Sequence, residues 1–321
     1  MKTNNFEFVP FSIDDILKIT NVREGELKLG ECISAGWSSG AKYVLIGVSE
    51  DVGPQSNGGN GGSQNAFRVT LSRFLNMQSN RFYNGSDLTC LGYVKQLAKF
   101  TSIEKGKALI EELDELLIEI LVKIYQNNQI PILIGGGHNN AYALIAAFQK
   151  VHGYSLDVIN CDPHADCRRL EGRHSGNPFS YAKERGFLDH YSVLGLHRAY
   201  NSENMLNYLD EQGFYYSFYE DYLDGHSIFL SDLQSVISKG NKSIGVELDL
   251  DSIKGMPTSA YTPSGFEVEQ VRKYIINLAN SNREIAYLHL PEGAPSNELE
   301  EKIVGKTIAY LIHDFLRNRV K

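Results

Sequence analysis

The sequence predicts an α/β fold, a central and mostly parallel sheet covered by helices. Three observations carry that expectation: short apolar runs alternate with longer amphipathic ones, a long helix with one apolar stripe follows the first clear strand, and glycines cluster where the apolar runs end. Tyr43–Val48 (YVLIGV) reads as the first buried strand and runs into the glycine-rich loop Gly53–Gly62, where glycine permits tight turning and close backbone approach. Leu109, Leu113, Leu116, Leu117, Ile120, Leu121 and Ile124 recur at helical spacing with acids between them, and Asn127, Asn128 and Pro131 stop that helix. Ile132–Ile134 then lead into Gly135–Gly137, a helix from about Asn140 to Val151 and a strand at Leu156–Cys161. Val193–Leu196, Ser243–Leu250 and Glu284–Leu290 read as further strands, and Phe266–Ala279 and Glu298–Leu316 as amphipathic helices. Tyr208–Gly225, rich in aromatic and acidic residues, reads as an inserted surface segment. With no repeat, low-complexity tract or linker, residues 1–321 are expected to form one domain.

Composition narrows the partners. The 321 residues are 42% hydrophobic and 22% charged, enough for a sizeable core. A net charge of −8 argues against nucleic acid or an anionic membrane as partner, so a small-molecule substrate is expected. The four cysteines, Cys32, Cys90, Cys161 and Cys167, form no CxxC pair, which suits a reducing compartment. Met1–Asp14 has no basic region followed by an apolar one, and no apolar run is long enough to span a bilayer. A cytoplasmic location is the expectation.

In open parallel α/β sheets ligands sit beyond the carboxyl ends of the strands, and three such ends are crowded with metal-ligand side chains. They read Ile134-Gly-Gly-Gly-His138, Asn160-Cys-Asp162-Pro-His164-Ala-Asp166-Cys-Arg168, and Glu247-Leu-Asp249-Leu-Asp251. Residues i and i+2 of an extended segment face the same side, so Asp162 pairs with His164 and Asp249 with Asp251, while Asp166 falls where the chain turns. Carboxylates buried together repel and take up protons unless cations offset them. Mixed carboxylate and imidazole ligands suit Mn²⁺ better than Zn²⁺ or Fe²⁺. Six ligands are too many for one tetrahedral ion and enough for a bridged pair. Singly, each motif is a common loop feature; three of them after three separate strands are not.

These motifs resemble those of the arginase, agmatinase and formimidoylglutamase superfamily, which carries GGxH, DxHxD and SxDxD elements in this order. The resemblance runs from Glu50-Asp-Val-Gly53 to Glu292, about three quarters of the chain. It implies a single-domain, three-layer α/β/α architecture, a homo-oligomer, and two Mn²⁺ ions per subunit, with other divalent metals as alternatives. His138, Asp162, Asp166 and Asp249 would bind one ion, and Asp162, His164, Asp249 and Asp251 the other, Asp162 and Asp249 bridging. Metal-activated water would attack the sp² carbon, and Asp251 or Asp166 would carry the proton to the leaving nitrogen. Leu290-Pro-Glu292-Gly-Ala-Pro295 resembles the ExxP element whose glutamate holds a cationic amidine or guanidine group, a fit between carboxylate and N–H fork; otherwise Glu292 is a solvated loop acid.

Two features select a substrate. Arg168 extends the metal loop to DxHxDxR, as in formimidoylglutamases, and would bind a substrate carboxylate bidentately, or else pair with Glu171. Ser175 stands where arginases and agmatinases generally have a histidine, with His174 one residue earlier as an imperfect stand-in. Asn177 would hydrogen-bond the substrate or cap a helix at Pro178. The expected reaction is N-formimidoyl-L-glutamate plus water giving L-glutamate and formamide, a step in histidine degradation. The alternatives are an arginase- or agmatinase-type hydrolase releasing urea, or a catalytically degenerate family member; a single-zinc, deacetylase-like site would leave His138, Asp166 and Asp251 unpaired.

Some supports depart from the pattern. Gly137 replaces the acid of GGDH, Glu247 replaces the serine before DxD, and Lys254-Gly255 replace an acid-proline pair. His289 reads as a core histidine, and His152, His190, His197, His226 and His313 as packing or surface residues. Cys161 is expected in the core, and Cys167 is a candidate for redox sensitivity.

Overall fold

A computed structural model describes residues 1–37, 40–240 and 243–319, with the side chain of His226 outside that set. Its strands, in chain order, are β1 Phe6–Pro10, β2 Ser34–Ala35, β3 Tyr43–Ser49, β4 Leu88–Gln96, β5 Ile130–Ile134, β6 Leu156–Cys161, β7 Leu188–Leu196, β8 Tyr215–Phe218, β9 Ile244–Leu248 and β10 Ile285–Leu290. All ten join one sheet in the order β1-β4-β3-β5-β10-β9-β6-β7-β8, with β2 beside β4. Only β1 runs antiparallel to its neighbour, β4.

Side chains alternate between two apolar layers. Tyr43 and Leu45 of β3 pack into one, with the helices Ala66–Phe74, Val268–Ala279 and Glu298–Arg319. Val44, Ile46 and Val48 face the other, under the helices Ile103–Gln126 and Ala141–His152. Helices on both faces of a mostly parallel sheet give the three-layer α/β/α architecture. The helix Ile103–Gln126 starts at Ser102, whose side chain accepts from the N–H of Lys105, and buries Leu113, Leu117, Ile120, Leu121 and Ile124.

The strand order explains why the motifs meet. β5, β10, β9 and β6 lie side by side at the centre of the sheet, and they are the strands that end in the GGGH, LPEG, ELDLD and DPHAD segments. They are parallel, and Leu290 pairs with Ile134, His289 with Glu247, and Cys161 with Leu248. At just under 5 Å between neighbouring strands, four ends bring their side chains within reach of one cleft.

Two expectations need correction. Tyr208–Gly225 is not an insertion: it contains the edge strand β8, which pairs with β7, and a short turn that buries Tyr222. The strand expected at Ser243–Leu250 ends at Leu248, so Asp249 and Asp251 lie on a turn.

Candidate metal centre

The two aspartate motifs share one local device. Asp162 Oδ1 accepts the N–H of His164 at 2.7 Å, and Asp249 Oδ1 accepts the N–H of Asp251 at 2.7 Å. Each is an Asx turn, the habit of a short carboxylate to bond the backbone two residues on. The turn, rather than an extended strand, brings the paired side chains together. It leaves Oδ2 of both Asp162 and Asp249 for His138.

The Nδ1 atom of His138 lies 2.9 Å from Asp249 Oδ2, 3.0 Å from Asp166 Oδ2 and 3.2 Å from Asp162 Oδ2. Ligand atoms of these four residues all lie within 4.8 Å of one another. The second set is looser: His164 Nδ1 is 3.6 Å from Asp162 Oδ1 and 3.8 Å from Asp251 Oδ2. Its ring stacks on Tyr200 at 5.5 Å, and Tyr200 in turn stacks on His197 at 4.8 Å. Asp162 thus presents Oδ2 to His138 and Oδ1 to His164, while Asp249 turns Oδ2 to His138 and Oδ1 to the backbone N–H of Asp251.

Burial and mutual repulsion dominate the electrostatics. Asp249 is pushed well above the usual carboxylate range by burial and then by Asp251 and Asp162, and burial lifts Asp251 to about 6. Burial also raises Asp166, with Asp162 adding to it. Burial would raise Asp162 too, but hydrogen bonds to His138 and His164 outweigh it and bring it to about 2. Burial opposes the charged form of both histidines, yet the surrounding carboxylates raise His138 well above its ordinary value and His164 to about 10. In a metal-free protein protons offset the charge of these acids, which is the work a divalent cation would do.

Two site residues carry backbone conformations that non-glycine residues rarely adopt. Among the described residues the non-glycine positions with positive φ are Asn128, Asp166 at 49° and Glu292 at 70°. Glu292 is buried, accepts the N–H of His138 at 2.7 Å through Oε1, and accepts the hydroxyl of Ser259 through Oε2. Burial, aided by Asp251, pushes it up to about 8. It is not a solvated loop acid. Gly136, between Ile134 and His138, has φ 66°, and a Cβ there would stand 2.7 Å from Glu50 Oε1. Glu50 is buried and accepts the N–H of both Gly137 and Gly53, tying the glycine-rich wall to the loop that carries His138.

Above this floor opens a cleft of about 910 Å³, lined among others by His164, Asp166, Asp249, Asp251 and Glu292. Asn57, Gly58 and Gly59 of the glycine-rich loop form part of its wall. Arg168 and Ser175 line it as well. Arg168 is exposed, and among the described residues no carboxylate lies within ion-pair distance; Glu171 pairs with His174 instead, at 3.2 Å. Ser175 Oγ accepts from Asn57 Nδ2 at 3.4 Å. His174 does not replace the missing histidine. It is buried, Nδ1 accepts the N–H of Gly176, and burial lowers it to about 4.

Asn177 is corrected. Its side chain is fully buried: Oδ1 accepts from Arg173 Nη1 at 2.8 Å and from the N–H of His174 at 3.1 Å, and Nδ2 donates to Gly172 O at 2.8 Å. It occupies the helix-capping position before Pro178 without capping it. With both ends of its amide engaged inside the loop, nothing remains for a substrate. Arg173, which the sequence left unremarked, is the anchor: it also binds Asp114 at 2.8 Å and the carbonyl of Asn139 at 2.8 Å.

The model of the arginase family matches residues 41–316. The chain belongs to the arginase family. A formimidoylglutamase of Staphylococcus carnosus is 26% identical over 281 residues, 85% of each chain. The fold of a Trypanosoma cruzi formiminoglutamase with Mn²⁺ superposes with a TM-score of 0.74 at 21% identity, covering 91% of this chain and 98% of that one. A formimidoylglutamase from Bacillus subtilis gives 0.72 at 18% identity, covering 93% of both.

For an arginase-family chain the surroundings of His138 hold an unforeseen group. Behind its ring lies Glu247, buried, taking the hydroxyl of Tyr287 at 2.7 Å on Oε1 and His289 Nδ1 at 2.6 Å on Oε2. Burial would raise Glu247, but His289 and His138 outweigh it and bring it to about 2. The signal for it was the acid two residues before Asp249. Cys161 and Cys167 are free and buried, and burial raises both thiols, which disfavours the reactive thiolate. No helix among the described residues is long and apolar enough to cross a membrane.

Proposed function

We propose that this arginase-family chain hydrolyses the amidine carbon–nitrogen bond of N-formimidoyl-L-glutamate, giving L-glutamate and formamide, with two Mn²⁺ ions as cofactors. The observation that carries the reading is the meeting of His138 with Asp162, Asp166 and Asp249 at 2.9 to 3.2 Å, beneath a cleft with Arg168 at its wall. The donor set fits the ions: mixed imidazole and carboxylate, buried, and charged beyond what protons comfortably offset. His138, Asp162, Asp166 and Asp249 would hold one ion, and Asp162, His164, Asp249 and Asp251 the other.

When bound, the ions supply the positive charge that ionises water near neutral pH. The chain's own residues do the rest. Glu292, oriented by His138 N–H and Ser259, pairs with the N–H fork of the amidinium, which fixes the carbon over the aspartates. Arg168, with no carboxylate within ion-pair distance among the described residues, takes the substrate's carboxylate at the cleft wall, which Ser175 also lines. Asp251 or Asp166 moves a proton to the amine of glutamate as the bond breaks, so that formamide and a neutral amine leave. The likeness to formimidoylglutamases and the Mn²⁺ of the Trypanosoma cruzi structure support the same reading.

The test is a product assay of the Mn²⁺-loaded protein over formimidoylglutamate, arginine, agmatine and guanidinobutyrate. Formamide and glutamate from the first are expected. Urea from any of the others, with formimidoylglutamate left intact, overturns the substrate assignment.

A further inference from the structure

The ring of His138 has two faces to satisfy. Nδ1 points at three carboxylate oxygens. For that nitrogen to offer a lone pair to a cation, the ring's proton must sit on Nε2. Nε2 is buried and makes no hydrogen bond among the described residues; the carboxylate within ion-pair distance of it is Glu247, with Oε2 at 3.4 Å. A buried N–H with no acceptor would be costly and would favour the wrong tautomer.

We propose that Glu247, clamped by His289 and Tyr287, is the positioning residue that holds His138 with Nδ1 toward the metal centre. The proposal rests on the metal-centre reading above. Three features of the structure support it. Glu247 sits on β9 directly opposite His289 of β10 in register, at the centre of the sheet, so the clamp is built on rigid elements. Both of its oxygens are aimed, Oε1 by the hydroxyl of Tyr287 and Oε2 by Nδ1 of His289, and the aimed Oε2 is the atom facing His138. Among the described residues His289 Nε2 is left buried without a hydrogen-bond partner, a cost the core bears to keep Nδ1 on the carboxylate.

The loop before His138 has no room for an acid of its own. A Cβ on Gly137 would stand 2.4 Å from Pro54 Cδ and 2.5 Å from Asn139 Oδ1. The carboxylate therefore comes from β9, which β10 separates from β5 in the sheet. Such partners of a metal-bound histidine set its tautomer and raise its basicity, and their loss typically weakens metal binding about 10- to 100-fold.

The experiment measures Mn²⁺ binding to chelator-stripped protein by calorimetry and by the spin-resonance signal of free Mn²⁺, with circular dichroism to establish folding. Wild type, Glu247→Gln, Glu247→Asp and His289→Gln are compared. Glu247→Gln should weaken the tighter Mn²⁺ site about 10- to 100-fold, with kcat falling more than KM changes at saturating metal. His289→Gln, which leaves the acid but frees it, should show a smaller loss in the same direction, and Glu247→Asp should recover part of the affinity lost in Glu247→Gln. Folded variants that bind Mn²⁺ within about twofold of wild type overturn the proposal, whatever their activity. If Glu247→Gln does not fold, His289→Gln and Glu247→Asp decide by the same criterion. A wild-type protein that binds no Mn²⁺ would defeat the metal-centre reading itself, a result distinct from equal binding by wild type and variants.

Discussion

Glu292 Oε1 accepts the backbone N–H of His138 at 2.7 Å, so the acid assigned to the substrate and a ligand assigned to the metal are fastened to each other across 154 residues of sequence. The same carboxylate is held by Ser259. Glu292→Gln keeps an acceptor for His138 and removes the charge that faces the amidinium. A charge-assisted hydrogen bond contributes about 1.5 to 3 kcal/mol, so kcat/KM should fall roughly 10- to 150-fold while Mn²⁺ binding changes little. Steady-state kinetics beside a metal titration check this. Equal losses in both would make Glu292 a support of the metal loop instead.

Arg168 gives a contrasting signature. It lines the cleft and has no carboxylate within ion-pair distance among the described residues. Arg168→Met should raise KM for formimidoylglutamate roughly tenfold or more and leave an amidine without the carboxylate unaffected. Arg168→Lys should rescue poorly, because the planar fork is what meets a carboxylate. Equal effects on both substrates would contradict the assignment.

Stability of the cleft wall hangs on a buried ion pair. Asp114 and Arg173 are both buried, 2.8 Å apart, and Arg173 also holds Asn177 and the carbonyl of Asn139. Asp114→Asn leaves the guanidinium without a countercharge and should cost about 3 to 5 kcal/mol, measured by denaturant unfolding. A loss below about 1 kcal/mol would mean water reaches the pair.

Metal removal should change the response to pH. In the metal-free protein Glu292 is held at about 8 and His164 at about 10, both above their ordinary values. A group raised on folding contributes stability below its unfolded value and loses it as pH climbs through its folded value. From pH 7 to 9.5 both losses run the same way, and the histidines lowered by burial, such as His174, are neutral in both states. The melting temperature of chelator-treated protein should therefore fall over that interval, more steeply than that of Mn²⁺-loaded protein. Parallel curves would show that the acids are not offset by protons in the free site.

The sequence made the ligands legible and left their neighbours obscure. Asp162, His164, Asp249 and Asp251 stand in short motifs after strong apolar runs, a local pattern that needs no knowledge of the fold. That β10 lies between β5 and β9 is a long-range fact, and without it the approach of Glu292 to His138 is invisible. β1 and β4 carry a weak sequence signal, because Phe6–Pro10 is short and ends in proline, and Leu88–Gln96 is broken by Gly92 and ends in polar residues. Asn177 reads in sequence as a substrate partner or a cap at Pro178, whereas its partner in the fold is Arg173, which binds Asp114 on a helix 59 residues away. The acid of Glu247 was visible as an oddity before Asp249, and only the register of β9 against β10 reveals what it clamps.

The most direct test of the account is the number of Mn²⁺ ions that chelator-stripped protein takes up per chain, measured by metal analysis after titration. The account expects two, and fewer in Asp249→Asn, whose carboxylate faces His138 on one side and the turn to Asp251 on the other. No bound Mn²⁺, or uptake unchanged by Asp249→Asn, would contradict it.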